Sequence, residues 1–169
     1  MNIIDYSKKF DAPISTLEKH TDFFPKNIFC IIAGSTGSGK TNLLVNLLLQ
    51  KDAINYSDLY VYSTTLHQPA YEYLKKCFET FEKLIYNKTH KTVKLAHFND
   101  KDSELVDPST LPKEQNHVMV FDDVMMEDQN MIKKYFCSGR HNNVNIFYLV
   151  QSLHKIAKHC IRENANIFI

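Results

Sequence analysis

Residues 34 to 41 have the sequence GSTGSGKT, which matches the phosphate-binding pattern G-x-x-x-x-G-K-[ST] at every position. The glycines of this segment allow the backbone to turn tightly and to bring N–H groups close to phosphate oxygens. Lys40 supplies an ammonium group for the β- and γ-phosphates, and the hydroxyl of Thr41 is suited to Mg²⁺. The residues predicted to bind a nucleoside triphosphate are Gly34, Ser35, Thr36, Gly37, Ser38, Gly39, Lys40 and Thr41.

The segments on either side of this loop have the composition that such a loop requires. Before it, residues 28 to 33 (IFCIIA) form a short apolar run, which predicts a buried strand. After it, the leucines of residues 41 to 50 recur at helical spacing and predict a helix of about residues 40 to 50. The loop would then lie at a helix N-terminus, where unpaired N–H groups and the helix dipole favour a bound anion.

An acidic pair follows an apolar run further along the chain. The sequence HVMVFDD, residues 117 to 123, places Asp122 and Asp123 at the C-terminal end of a predicted strand, the edge at which parallel sheets bind ligands. Asp122 is predicted to hold the coordination shell of Mg²⁺, and Asp123 to orient or deprotonate an attacking water. Alternatively, the pair forms only a turn or a helix cap. Glu127 and Asp128 are rival candidates for the base, although both also suit the N-terminus of the next helix.

A polar amide ends the strand predicted at residues 143 to 152. Gln151 would lie at the same sheet edge as the acidic pair, within reach of a γ-phosphate or of the attacking water; alternatively, it only leads into a helix capped by Ser152. Arg140 precedes this strand and therefore lies at the opposite edge. It is a poor ligand for its own subunit's nucleotide, but it is a candidate for the γ-phosphate of a neighbouring subunit, with a surface arginine at a turn as the alternative. Arg162 is a second candidate.

Apolar strands alternate with helices along the chain and position these motifs. Further predicted strands are residues 58 to 64, 93 to 98 and 165 to 169, and further predicted helices are residues 69 to 85, 126 to 139 and 153 to 164. The buried stripe predicted for the helix that begins at Pro69 is Tyr73, Cys77, Phe81 and Leu84. This alternation predicts an α/β fold, with a mainly parallel central sheet flanked by helices on both faces.

The composition is that of an ordinary globular domain. The chain has 169 residues, 44% of them apolar and 23% charged, and its formal net charge of +1 means that any site for a polyanion must be local. One such candidate is a set of basic residues on the last predicted helix, which could contact a DNA backbone or form a solvated face: Lys155, Lys158, His159 and Arg162. Four cysteines without a C-x-x-C pair, and no signal peptide, predict reduced thiols in an intracellular compartment.

Four segments of the chain together resemble the DNA-packaging ATPases of large DNA viruses: GSTGSGKT, VMVFDD, SGRHNNVNIFYLVQS and KHCIRENANIFI. These form the poxvirus-type branch of the FtsK/HerA superfamily, which is also found in virophages and Maverick/Polinton elements. The similarity extends from about Asn27 to Ile169, and the last two segments discriminate the family because the first occurs in many unrelated NTPases. The resemblance implies an ASCE-type (RecA-like) P-loop ATPase domain at residues 27 to 169, after a lead-in at residues 1 to 26. In that fold the Gln151 strand lies between the phosphate-loop strand and the Asp122 strand.

A function and a set of partners also follow from the resemblance. The implied activity is Mg²⁺-dependent hydrolysis of ATP by a homo-oligomeric ring that moves double-stranded DNA into a capsid. An arginine acts in trans, and a capsid or portal-vertex protein is a partner. The implied location is the host cytoplasm or a viral factory, with or without association with the virion. The residues that match the family's motifs are Lys40, Thr41, Asp122, Asp123 and Gln151, with Arg140 as the candidate for the arginine in trans.

Two features of the chain depart from the family pattern. Much of the wider superfamily has Glu at the position of Asp123, so the shorter carboxylate requires the attacking water to lie about one methylene closer. Family members usually continue beyond the terminal apolar strand, which predicts that this length is truncated and lacks a DNA-contacting part.

Two further function classes remain open. One is a small P-loop kinase, although the chain shows no compact arginine-rich lid to close over two substrates. The other is a nucleotide-binding assembly protein with little turnover, which would use Lys40 and Asp122 but not Asp123 or Gln151. Stimulation of hydrolysis by DNA separates the packaging motor from both.

Overall fold

A computed structural model of the chain describes residues 20–50, 53–100, 105–124 and 129–169. The helices and strands within these ranges are β1 (Phe29–Ala33), α1 (Lys40–Leu49), β2 (Asp58–Ser63), α2 (Pro69–Thr89), β3 (Ala96–Asn99), β4 (His117–Asp122), α3 (Gln129–Ser138), β5 (Val144–Val150) and β6 (Ile167–Phe168). Short 3₁₀ turns occupy Pro108–Thr110, Gly139–Asn142 and Leu153–Lys155, and a single π turn occupies Lys158–Arg162. In this part of the chain, no helix is both long enough and apolar enough to cross a membrane.

The strands form one parallel sheet in the order β3-β2-β4-β5-β1-β6. β5 lies between β1 and β4, which is the placement that the family resemblance implied. The register aligns the C-terminal ends of neighbouring strands, because Asp122 pairs with Ser63 of β2 and with Leu149 of β5, and Val150 pairs with Ala33 of β1. The loops that follow these strands therefore meet at one edge of the sheet.

Helices cover both faces of the sheet and bury its alternating side chains. On one face, Leu44 and Leu48 of α1 and Leu74 of α2 pack in a core with the inward side chains of the strands. On the other face, Tyr135 and Phe136 of α3 pack in a second core. Every residue of β4 and β5 is buried, as expected for central parallel strands with helices on both sides. The predicted α/β fold, with a parallel sheet flanked by helices, is confirmed.

The stripe predicted to be buried on α2 is wrong. The buried residues of this helix are Tyr71, Leu74, Phe78 and Ile85. Tyr73 and Leu84 are instead 45% and 47% exposed. Both sets satisfy helical spacing, so periodicity alone could not choose between them; the face turned towards the sheet and α1 was decided by packing.

The helix predicted at residues 153 to 164 is also wrong. The 3₁₀ turn Leu153–Lys155 and the π turn Lys158–Arg162 are separated by Ile156 and Ala157, whose ψ angles are 139° and 118°. Ile156 is buried in the core on the α3 side, and the extended backbone at these two residues interrupts the helix. The basic residues predicted to share one helix face therefore lie on two separate turns.

The lead-in predicted at residues 1 to 26 lies mostly outside the described residues. Its described part begins at His20, which is buried. The Nδ1 atom of His20 accepts a hydrogen bond from the backbone N–H of Asn55 (3.0 Å), and its Nε2 atom donates to Asn145 Oδ1 (3.2 Å). A domain boundary at residue 27 stays a prediction.

A partly buried ion pair lies at the N-terminal edge of the sheet, opposite the phosphate loop. The side chain of His117 is fully buried, with Nδ1 2.5 Å from Asp58 Oδ1 and Nε2 2.7 Å from the carbonyl oxygen of Pro112. Because both partner atoms are acceptors, both ring nitrogens must donate, which requires the imidazolium form. Burial disfavours this charge, but the hydrogen bonds to Asp58 and Pro112 and the charge of Asp58 outweigh burial and raise the pKa of His117.

The free energy of unfolding is therefore expected to depend on pH through His117. A raised folded pKa stabilises the protein fully below pH 6.5, the ordinary His value, and this stabilisation is lost as the pH rises through the folded pKa. The free energy of unfolding in urea, measured from about pH 6 to about pH 9, the region in which histidines usually titrate, should show this loss in the wild type and not in His117→Gln. The exposed His154→Gln serves as the control, and equal pH slopes for wild type and His117→Gln would contradict the prediction.

Candidate functional site

A cleft of about 530 Å³ lies at the C-terminal edge of the sheet. It is bordered by the phosphate loop, the ends of β4 and β5 and the start of α2. Its lining residues are Thr36, Gly37, Gly39, Lys40, Thr41, Asn42, Thr65, Gln68, Pro69, Ala70, Asp122, Asp123, Leu149, Val150, Gln151 and Lys155. The segments that the sequence singled out for chemistry thus meet at one place.

The phosphate loop joins β1 to α1 in a conformation that depends on glycine. Gly37 and Gly39 have φ angles of 80° and 90°, in the left-handed region that favours glycine. A Cβ atom on Gly34 would lie 2.6 Å from Ser38 Oγ, so the loop closes tightly on itself. Gly39 caps α1, and this described segment has neither a side-chain cap nor an acidic residue in the first helical turn. The N-terminal N–H groups of α1 are therefore suited to an anion.

The ammonium group of Lys40 lies over the same loop. Its Nζ atom donates to the carbonyl oxygens of Gly34 (2.7 Å) and Ser35 (3.0 Å). These two hydrogen bonds hold the charge beside the loop backbone, where the phosphates of a nucleotide are predicted to lie.

Thr41 and Asp122 form a direct contact at the start of α1. The Thr41 hydroxyl donates to Asp122 Oδ2 over 3.2 Å, and Asp122 is 5% exposed. Burial raises the pKa of Asp122, and the nearby charge of Asp123 adds to the effect; hydrogen bonds from Tyr71 and Thr41 and the charge of Lys40 oppose it.

The side-chain oxygens of Thr41 and Asp122, a hydroxyl and a carboxylate, are ligands of the kind that Mg²⁺ prefers. Among the described residues, no group of three or more His, Cys, Asp or Glu side chains could hold a metal ion. Mg²⁺ is usually held by one or two carboxylates together with substrate phosphates and water. Thr41 and Asp122 are therefore suited to Mg²⁺ that arrives with a nucleotide.

Asp123 turns away from the strand that Asp122 ends. Its φ angle of 57° is left-handed, a conformation that Asp tolerates better than most residues. Gln151 Nε2 donates to Asp123 Oδ1 over 3.4 Å, and the Thr64 hydroxyl lies 3.5 Å from Oδ2 and 3.2 Å from the backbone carbonyl oxygen of Asp123. The carboxylate is exposed to solvent at the cleft, between the ends of β2 and β5.

Arg140 lies apart from this cluster. It belongs to the turn Gly139–Asn142, which precedes β5, so it lies at the opposite edge of the sheet as predicted. Its Nη2 atom donates to the carbonyl oxygen of Asn164 (3.1 Å), and its guanidinium carbon lies 5.1 Å from the centroid of the Phe29 ring. The second candidate, Arg162, lies in the π turn, and its Nε atom is buried without a hydrogen-bond partner in the described chain.

The structure thus brings eight of the predicted site residues together around the cleft: Thr36, Gly37, Gly39, Lys40, Thr41, Asp122, Asp123 and Gln151. The rival bases Glu127 and Asp128 lie outside the described residues.

One residue of this cluster was not predicted from the sequence. Tyr71 in the first turn of α2 donates its hydroxyl to Asp122 Oδ2 over 2.7 Å, and both side chains are buried. Nothing in the sequence indicated this contact, because the two residues are 51 positions apart and no local spacing relates them. The sequence indicated Thr64 weakly, because it ends the strand predicted at residues 58 to 64, at the edge where parallel sheets bind ligands.

A family model described as Poxvirus A32 protein matches residues 19 to 168, nearly the whole chain. The chain belongs to this family. The resemblance to the poxvirus-type family is therefore confirmed.

Two solved structures each contain a part that is similar to most of this chain. One is the cytoplasmic domain of EssC, with 16% sequence identity and a TM-score of 0.49 over 85% of this chain and 31% of that chain. The other is EssC (ATPases 2 and 3) from Geobacillus thermodenitrificans, with 15% identity and a TM-score of 0.46 over 85% of this chain and 32% of that chain. The chain spans about a third of the length of these structures. No curated protein matches it.

In this A32-family protein, positively and negatively charged groups lie on opposite sides of the cleft. Lys40 and the N-terminus of α1 lie on the side of the loop, where they favour anionic phosphates. Asp122 and Asp123 lie across from them at the end of β4 and favour a cation or a proton. Such an arrangement can hold a nucleotide with its metal on one side and a water molecule on the other.

Proposed function

We propose that the protein is a Mg²⁺-dependent ATPase motor that moves double-stranded DNA, in the packaging of a viral genome into a capsid. The hydrolytic part rests on one observation: the exposed carboxylate of Asp123 accepts a hydrogen bond from Gln151 beside the phosphate loop. Membership of the poxvirus A32 family supports the assignment to DNA packaging.

The phosphate loop is proposed to bind the nucleotide by its backbone N–H groups. Lys40 would exchange its contacts with the carbonyl oxygens of Gly34 and Ser35 for β- and γ-phosphate oxygens, because a charged acceptor makes the stronger hydrogen bond. Thr41 and Asp122 would hold the metal shell. When bound, Mg²⁺ neutralises charge on the phosphates.

Asp123 and Gln151 are proposed to act on the attacking water. Gln151 orients the water together with the carboxylate of Asp123, which accepts its proton as the oxygen bonds to the γ-phosphorus. The bond from the γ-phosphorus to the β–γ bridging oxygen breaks, and ADP and phosphate are the products. Most of the rate enhancement comes from positioning and charge neutralisation.

The active form is proposed to be a homo-oligomeric ring of subunits whose ATPase domain begins at residue 27. Arg140 lies at the sheet edge opposite its own cleft, so the nucleotide it could contact belongs to a neighbouring subunit. A capsid or portal-vertex protein is the proposed further partner. The proposed location is the host cytoplasm or a viral factory, with or without association with the virion.

Hydrolysis of ATP is expected to rise when linear double-stranded DNA is added. A motor couples its conformational cycle to the DNA, so the measurement is the steady-state rate of phosphate release with and without DNA. Lys40→Ala and Asp123→Asn should abolish the stimulated rate. Nucleotide binding without turnover under either condition would contradict the motor and favour the assembly protein. Transfer of phosphate to an acceptor other than water would favour the kinase.

A further inference from the structure

The Asp122 carboxylate accepts two hydrogen bonds on the same oxygen. The hydroxyl of Thr41 donates to Oδ2 over 3.2 Å, and the hydroxyl of Tyr71 donates to it over 2.7 Å. Tyr71 therefore makes the shorter of the two contacts. Both donors come from first turns of helices, Thr41 from α1 and Tyr71 from α2.

The two donors differ in what a bound nucleotide would do to them. Thr41 lines the cleft, and under the proposed function its oxygen faces Mg²⁺. Tyr71 is fully buried behind the cleft wall and is not part of its lining. Its hydroxyl can therefore stay on Asp122 while the hydroxyl of Thr41 turns to the metal.

The backbone that carries Tyr71 is tied to the cleft as well. Pro69 and Ala70, the two residues before it, line the cleft at the start of α2. The Tyr71 ring packs in the core with Leu44 and Val120. The ring thus fixes where the hydroxyl lies, and the hydroxyl holds the carboxylate at one rotation.

We propose that Tyr71 is a positioning residue for Asp122: its buried hydroxyl orients the carboxylate that holds the Mg²⁺ shell. This inference rests on the metal role of Asp122 in the proposed function. Tyr71 touches neither the nucleotide nor the reacting atoms. Its effect is on the affinity for metal, because a carboxylate free to rotate must lose that freedom when the metal binds.

Tyr71→Phe tests the inference, because it keeps the ring in the core and removes only the hydroxyl. Tyr56→Phe is the matched control, since the buried hydroxyl of Tyr56 also donates a hydrogen bond, to the carbonyl oxygen of Leu48 (2.8 Å). Binding of a fluorescent ADP analogue is measured in EDTA and at rising Mg²⁺ concentration. Electron paramagnetic resonance of Mn²⁺ in the nucleotide complex reports the metal directly, and thermal unfolding reports the stability of each variant.

In EDTA, Tyr71→Phe should bind the analogue within about twofold of wild type, because the hydroxyl does not touch the nucleotide. The Mg²⁺ concentration that gives half of the Mg²⁺-dependent change in affinity for the analogue should rise about tenfold. A factor of this size corresponds to one hydrogen bond to a charged group, at the low end of its energy range. Tyr56→Phe should lose similar stability with no change in the Mg²⁺ dependence.

Two results would overturn the inference alone: an unchanged Mg²⁺ dependence in Tyr71→Phe, or an equal shift in Tyr56→Phe. A wild-type protein that binds the analogue without any response to Mg²⁺ would overturn the metal role of Asp122 and, with it, both the inference and the Mg²⁺-dependent mechanism. Failure of the proposed function is thus visible in the wild type, and failure of the inference is visible in the variants.

Discussion

Asp123→Asn is expected to lower the rate of ATP hydrolysis by about 10²- to 10⁴-fold, while ATP affinity stays within about twofold of wild type. An amide cannot accept the proton of the attacking water, but it has the size of the carboxylate and keeps an oxygen for the hydrogen bond from Gln151. Asn also tolerates the left-handed φ of 57° at this position, so the backbone is not strained. Single-turnover hydrolysis and binding of a fluorescent ATP analogue measure the two quantities separately.

A surface carboxylate remote from the cleft provides the control for this experiment. Asp22→Asn changes the net charge by the same amount at an exposed position and should hydrolyse ATP at the wild-type rate. A hydrolysis rate in Asp123→Asn equal to that of wild type would contradict the assignment of the base. Glu127 and Asp128 would then become the residues to substitute.

Lys40→Ala is expected to weaken ATP binding by about a hundredfold and to abolish hydrolysis. The ammonium group lies over the loop, 2.7 Å and 3.0 Å from two of its carbonyl oxygens. Under the proposed function it exchanges these contacts for hydrogen bonds to phosphate oxygens. Two charge-assisted hydrogen bonds at about 1.5 kcal/mol each correspond to a factor of this size. Titration of a fluorescent ATP analogue measures the affinity, and Lys76→Ala on the exposed face of α2 is the matched control. Near wild-type affinity in Lys40→Ala would contradict the prediction.

Lys40→Ala also tests whether Arg140 acts on a neighbouring subunit. Lys40→Ala and Arg140→Ala should each be inactive alone, but a mixture should recover part of the activity, because some interfaces pair an intact Lys40 with an intact Arg140. Arg140→Lys controls for folding, since the arginine also contacts Asn164 and the Phe29 ring. No recovery with Arg140→Ala, together with recovery in a mixture of Lys40→Ala and Arg162→Ala, would transfer the role to Arg162.

Most of the candidate site could be predicted because its parts are local in the chain. The phosphate loop is one octapeptide, and the acidic pair and Gln151 each follow an apolar strand at once. In a parallel sheet the carboxyl ends of the strands meet at the same edge, so strand type was enough to bring these residues together. The placement of β5 between β1 and β4 was implied by family resemblance and not by any spacing in the chain.

The errors occurred where two local patterns were equally good. On α2, the stripe containing Tyr73 and the stripe containing Tyr71 both have helical spacing, and only the second faces the sheet. After β5, helical propensity predicted one helix, but burial of Ile156 interrupted it. In both cases the free energy of packing against distant segments outweighed a local preference that is weak per residue.

The sequence by itself predicted a phosphate-binding loop at residues 34 to 41, together with an acidic pair and an amide at the ends of two strands. The structure brings all three to one cleft. These features depend on residue type and on the order of strands and helices, which short segments encode. The tertiary structure alone decided that the hydroxyl of Tyr71 reaches Asp122 across 51 positions and that Arg140 lies against Phe29, away from the cleft. The physical reason is that such contacts depend on how segments distant in the chain pack together. The hydrophobic effect that drives this packing is not directional, so no local sequence pattern specifies the contacts.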